Sequence, residues 1–114
     1  MKKIQIDEEI RNDQKLLADV LRVTELLEEE IGPASNEIST KWSVELTPLE
    51  RLLKVEISDG QVSSRSAFSE SGLSLISRAG MRLSLNRLWG NLLQDRSHQQ
   101  MAKLKLVVQG LQDN

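Results

Sequence analysis

Residues 38–68 read ISTKWSVELTPLERLLKVEISDGQVSSRSAF, and the period of this stretch decides the fold class. Ile38, Thr40, Trp42, Val44 and Leu46 alternate with Ser39, Lys41, Ser43 and Glu45, the two-residue period of a strand buried on one face. Leu53, Val55 and Ile57 continue the alternation in a second strand. Asp59-Gly60 is a dipeptide favoured in tight hairpins, because both residues tolerate positive φ. A two-residue turn there predicts a third strand over residues 62–68, with Ile57 opposite Val62, Val55 opposite Ser64 and Leu53 opposite Ser66. Small polar groups facing aliphatics mark this third strand as an edge. Between the first two strands, Thr47-Pro48-Leu49-Glu50 combines a capping-box pattern with a turn-forming proline, which predicts a turn or one helical turn.

Upstream of the strands the period is helical. Over residues 8–31, Ile10, Leu17, Thr24 and Ile31 recur every seven residues, with Val20 and Leu27 between them and Leu16, Leu21, Val23 and Leu26 widening the stripe. Asp7 is placed to cap the start, and Gly32-Pro33 supplies a positive-φ residue and then a helix stop. Asp13 and Thr24 fall on the centre line of the stripe, which suits a globular core or a short dimer interface better than a long coiled coil. Lys3, Ile4, Gln5 and Ile6 ahead of the helix read as a short edge strand.

Downstream, Ser69 is placed to cap a helix and Phe68 to staple against Leu73. Leu73, Ile76, Ala79 and Leu83 form one apolar stripe, and Met81, Leu85, Leu88, Trp89, Leu92 and Leu93 a second, so two buried faces or a kink at Gly80 is expected. Ser97 and Gln100 have capping-box spacing and predict a separate last helix with Met101, Leu104, Val108 and Leu111 on one face. Residues 81–85 and 103–108 also alternate as strands would, and both readings stand. The expectation is a single α+β domain over residues 1–114: an N-terminal helix, a three-stranded antiparallel meander, then one or two C-terminal helices packed on one face of the sheet.

Composition narrows the chemistry. The 114 residues are 39% hydrophobic, 28% charged and only 3% aromatic, which fits one folded domain rather than a disordered chain. No apolar run approaches the roughly 18 residues needed to cross a bilayer, and Lys2-Lys3 leads into acidic, helix-like sequence, so a cytoplasmic protein without a membrane partner is expected. Without cysteine there is no thiolate nucleophile or cysteine-held zinc, and with His98 the only histidine no multi-histidine metal site forms within one chain. Asp95, Ser97 and His98 supply the residue types of a triad without a glycine-flanked nucleophile. The glycines follow no phosphate-loop spacing, and no cofactor is expected.

The net charge of −2 conceals a segregation: residues 1–60 carry 14 acids and 8 bases, while residues 61–114 carry 7 bases and 3 acids. One reading is compensation, with the acidic first helix beside the arginine-bearing helices in one molecule or across a symmetric dimer. The other is a face of Arg65, Arg78, Arg82, Arg87 and Arg96 for an anionic partner such as nucleic acid, although a pI near 5.4 and few aromatic rings weigh against it. Glu28, Glu29 and Glu30 crowd the negative end of the first helix dipole, which reads first as a solvated acidic rim and second as a site for a cation or a partner's arginine. Trp89 is an interface anchor wherever it is exposed. The candidate interaction surface is therefore Arg78, Arg82, Arg87, Trp89, Glu28, Glu29 and Glu30.

Leu46-Thr47-Pro48-Leu49-Glu50-Arg51 resembles the opening of helix-turn-helix domains in bacterial transcription regulators, and residues 57–63 resemble the turn into their recognition helix. In that family a whole helix separates the two pieces, whereas residues 52–56 alone do so here, and the supporting helix is missing. The helix and strand mixture is broadly similar to that of small acidic dimeric secretion chaperones. The functional expectation is a non-catalytic protein-interaction or adaptor module of a bacterial cytoplasm, chaperone-like and homodimeric. The alternatives are a nucleic-acid-binding or regulatory protein using the arginine-rich half, and a small enzyme using carboxylates.

Overall fold

The computed structural model describes residues 1–112, with side chains through residue 105. Strand β1 (Lys3–Ile6) is followed by a one-turn helix α1 (Glu8–Arg11), helix α2 (Gln14–Ile31) and a short 3-10 segment (Gly32–Glu37). Strands β2 (Ser39–Leu46), β3 (Arg51–Ser58) and β4 (Ser63–Ser69) come next, then helices α3 (Glu70–Leu75) and α4 (Arg78–Gln112). The architecture is α+β, with helices packed on a four-stranded sheet of order β1-β2-β3-β4.

The sheet is mixed, which corrects the expected three-stranded antiparallel meander: β1 pairs in parallel with β2, while β2–β3 and β3–β4 are antiparallel. A parallel neighbour needs a crossover, and α1 and α2 supply it. The short edge strand expected at residues 3–6 is β1, aligned so that Ile4 lies beside Thr40 and Ile6 beside Trp42.

The alternation in β2 and β3 sends Ile38, Thr40, Trp42, Leu53, Val55 and Ile57 into the core. From the helices the core receives Leu16, Val20, Val23, Leu27, Leu73, Met81, Leu85, Leu88 and Leu92. Thr24, the polar residue on the stripe of α2, has a packing reason: its Oγ1 donates to the Val20 carbonyl at 2.8 Å and accepts the Trp42 indole N–H at 3.0 Å. The largest core side chain is thereby satisfied in a buried setting, where an unmatched donor is costly. The Trp42 and Phe68 rings lie 6.5 Å apart between centroids.

Four local expectations are corrected. The first helix does not run unbroken over residues 8–31. Asp13 takes an extended backbone and caps α2 by accepting the Leu16 N–H at 3.2 Å, whereas Asp7 makes no side-chain cap. The hairpin register moves by two residues, to Ile57 opposite Ser64, Val55 opposite Ser66 and Leu53 opposite Phe68. The turn is centred on Gly60-Gln61 because the Asp59 carboxylate accepts the Gln61 and Val62 N–H groups, both at 2.9 Å, with Gly60 at φ 97°. A shift of two preserves the face, so the core assignment survives it. The helical break falls at Ile76-Ser77 rather than Gly80, since Ser77 Oγ accepts the Gly80 N–H at 3.0 Å and starts α4. From there α4 is one continuous helix, so residues 81–85 and 103–108 are helical and the Ser97–Gln100 capping box is unused. The expected positions of the Val108 and Leu111 side chains lie outside the described residues.

Other expectations match: Gly32 ends α2 at φ 75°, Thr47 and Glu50 close a turn, and Ser69 caps α3 through the Gly72 N–H. Among the described residues no helix is long and apolar enough to cross a membrane.

Candidate functional site

The acidic end of α2 and the basic start of α4 lie side by side. Glu29 Oε2 is 3.4 Å from both the Arg78 and Arg82 guanidinium groups, and Asn86 Nδ2 donates to Glu30 Oε1 at 2.9 Å. Glu29 thus meets compensating charge inside the molecule, as the charge segregation allowed, and Glu30 meets a neutral amide. These pairs are solvent-exposed, and such pairs contribute about 0–1 kcal/mol each. Their consequence is positional: they align the first turns of α4 with the last turns of α2.

The expected arginine face is divided. Arg65 lies on the open face of the sheet in an ion pair with Glu56, and Arg96 Nε donates to Asp59 Oδ2 at 2.8 Å, tying α4 to the β3–β4 hairpin. Burial pushes the Asp59 carboxyl up, but the Val62 and Gln61 N–H groups and Arg96 outweigh it and hold the group below the ordinary range. Arg87 is exposed on α4, and Trp89 is half-buried at the edge of the core. Glu29, Glu30, Arg78 and Arg82 thus meet at the α2–α4 seam and Arg87 and Trp89 lie on the α4 turns beyond it, whereas Glu28 lies 3.8 Å from the N-terminal amine of Met1.

Helix α4 itself is the feature that sequence reasoning captured only in fragments. Its 35 residues make a rod of about 52 Å at 1.5 Å per residue, in a molecule whose long axis is 61 Å. Its core-facing residues, Met81, Leu85, Leu88 and Leu92, stop at the end of the sheet. The same line continues as Arg96, Gln99 and Lys103, and residues 100–105 are all exposed. On another face lie Leu83, Leu93, Met101 and Leu104, which are 66%, 41%, 54% and 58% exposed. The sequence signal for this second face is the doubled apolar stripe, but Leu83 and Leu93 belong to the solvent side rather than the core.

A second constellation was not anticipated. Arg51, at the start of β3, donates through Nε and Nη2 to both carboxylate oxygens of Glu70, at 3.0 and 2.6 Å, and through Nη2 to Asp13 Oδ2 at 2.9 Å. This cation joins the sheet to the N-termini of α2 and α3. It holds the Asp13 and Glu70 carboxyls below the ordinary carboxylate range, chiefly by hydrogen bonding, and raises its own guanidinium. Asp13, Asp19, Glu50 and Glu70 line an open depression of about 390 Å³ with Lys15 and Leu75. The downward direction at Asp13 and Glu70 is opposite to the upward shift that a general acid at neutral pH requires. No sequence pattern linked Asp13 to Arg51, although the placement of an aspartate on an apolar stripe was a sign that it had another task.

His98 and Ser97 are exposed on α4. No group of three His, Cys, Asp or Glu side chains able to hold a metal occurs among the described residues. The chain matches no protein-family model, and no curated relative matches it.

Proposed function

We propose that this chain is a non-catalytic protein-interaction or adaptor module, chaperone-like in kind, that acts as a homodimer in the cytoplasm. The observation that carries this reading is α4, whose buried line ends at Leu92 and whose last contact with the hairpin is at Arg96, and which presents Leu93, Met101 and Leu104 to solvent, in line with Leu83 nearer the body. Helices in proteins draw most of their stability from packing of an apolar face, and an apolar row left in solvent is a surface awaiting cover. Light scattering on size-fractionated protein at moderate salt tests it: the expected mass is about twice the 12.9 kDa chain. A mass of one chain across the micromolar range overturns the homodimer.

A nucleic-acid-binding or regulatory reading has one observation in its favour. Between residues 78 and 105, α4 carries six bases, Arg78, Arg82, Arg87, Arg96, Lys103 and Lys105, against the single acid Asp95. Binding through this helix would weaken steeply with added salt. Reversal of charge in an Arg82→Glu, Arg87→Glu variant that still folds, with binding to duplex DNA or RNA unchanged, removes this reading.

A further inference from the structure

We propose that two copies of this chain associate through antiparallel packing of their α4 helices across a twofold axis near Ser97; this rests on the homodimer reading and specifies its interface. The solvent face of α4 reads Leu83, Asn86, Gly90, Leu93, Ser97, Met101 and Leu104, at spacings of three and four that keep one side of a helix in line. The large and small residues along it are unevenly placed. Leu93 and Met101 lie four residues to either side of Ser97, and Gly90 and Leu104 lie seven to either side. An antiparallel pair centred near Ser97 therefore sets Leu93 of each copy against Met101 of the other. It sets the notch at Gly90 against the turn that carries Leu104.

Gly90 has no reason within its own chain. A Cβ added there meets no atom within 4 Å, and the helix interior disfavours glycine. A notch that faces solvent in one copy and a leucine in the second gives the glycine a role.

Charge selects a second copy and its direction. Antiparallel packing carries the basic outer half of each α4, with the exposed Lys105, back alongside the other's body, whose α2 ends in an acidic run where Glu29 and Glu30 already meet Arg78, Arg82 and Asn86. Parallel packing would set Lys103 and Lys105 beside their own counterparts.

The chain contains no cysteine, so single substitutions report contacts directly. Ser97→Cys and Leu104→Cys, both at exposed positions, are each oxidised in the full chain, and light scattering is run on the reduced forms. The expected result is a dimer mass for both, efficient disulfide-linked dimer for S97C and little for L104C, whose two copies sit far apart along antiparallel helices. Efficient linkage of L104C shows parallel packing and overturns the proposal. Dimer mass with no linkage of either variant places the interface elsewhere and overturns the proposal while the homodimer stands. A monomer mass overturns both.

Discussion

The two halves of α4 obey opposite rules. Through Leu92 the helix turns its apolar residues inward, and Met81, Leu85, Leu88 and Leu92 are buried against the sheet and α2. Beyond Leu92 the inward line becomes Arg96, Gln99 and Lys103, while the exposed side keeps Leu93, Met101 and Leu104. The change occurs where the sheet runs out, at the Arg96–Asp59 contact with the hairpin. One half of the helix is held by its own chain, and the other carries apolar side chains that its own chain does not cover. The difference separates residues that stabilise the fold from residues that are available to a partner.

The largest effect should come from breaking the inner half. Leu85→Ala removes a fully buried side chain beneath the sheet and is expected to destabilise folding by about 2–5 kcal/mol, read from the midpoint of urea unfolding. The equivalent change beyond the domain, Leu104→Ala, acts through self-association, so its effect should fade as the protein is diluted while that of Leu85→Ala does not. Equal, concentration-independent losses at both positions would erase the distinction between the halves.

Thr24→Val tests the same buried side at a polar point. It keeps the shape of the side chain but leaves the Trp42 indole N–H without its acceptor, at an expected cost of about 1–3 kcal/mol, with Trp42 fluorescence as a local reporter. Wild-type stability in this variant would mean that the hydrogen bond and its solvation balance.

The sheet and its covered face were legible in the sequence because eight residues of strict alternation in β2 leave no competing helical period. Gly32, Ser69 and Thr47 were legible because each acts on neighbours within three or four residues. What was not legible depends on distant partners. The break at Asn12-Asp13 coincides with a contact to Arg51, 38 positions away, and the apolar stripe crossing it looks continuous. The turn centre moved by one residue because the Asp59 side chain caps the loop, a choice that the Asp-Gly dipeptide does not determine. The Ser97–Gln100 pattern failed as a start signal because a capping box needs a chain that enters from outside a helix, and here the preceding turns are already helical. The candidate surface was legible as residue types, but its axis was not, since the length of α4 emerges only once no break follows Ser77.

A smaller effect concerns acid. The folded-state carboxyls of Asp13, Glu70 and Asp59 lie below their ordinary values, so the unfolded chain binds more protons as pH falls. Their contribution is present above the ordinary carboxylate range, about pH 4, and is lost as pH drops through the lowered folded values. Replacing Arg51 with Leu releases Asp13 and Glu70 together. The expected outcome is lower stability at pH 7 with a shallower further loss between about pH 5 and 2 than in the wild type. An unchanged slope would show that the Arg51 contacts do not persist in solution.

The smallest change should be the most informative about the solvent face of α4. Gly90→Ala adds a methyl group that meets nothing within its own chain, and alanine is favoured over glycine in a helix by about 0.8–1 kcal/mol. Folding of the single chain should therefore become slightly more stable. In the dimer, the same methyl fills the notch that faces the turn bearing Leu104 of the second copy, so the dimer should dissociate at higher protein concentration. Urea unfolding at low concentration and sedimentation across a concentration series read the two effects separately. If alanine strengthens both, Gly90 is a tolerated imperfection rather than part of an interface. Opposite signs require a role for the glycine outside its own chain, which a lone, fully solvated helix would not produce.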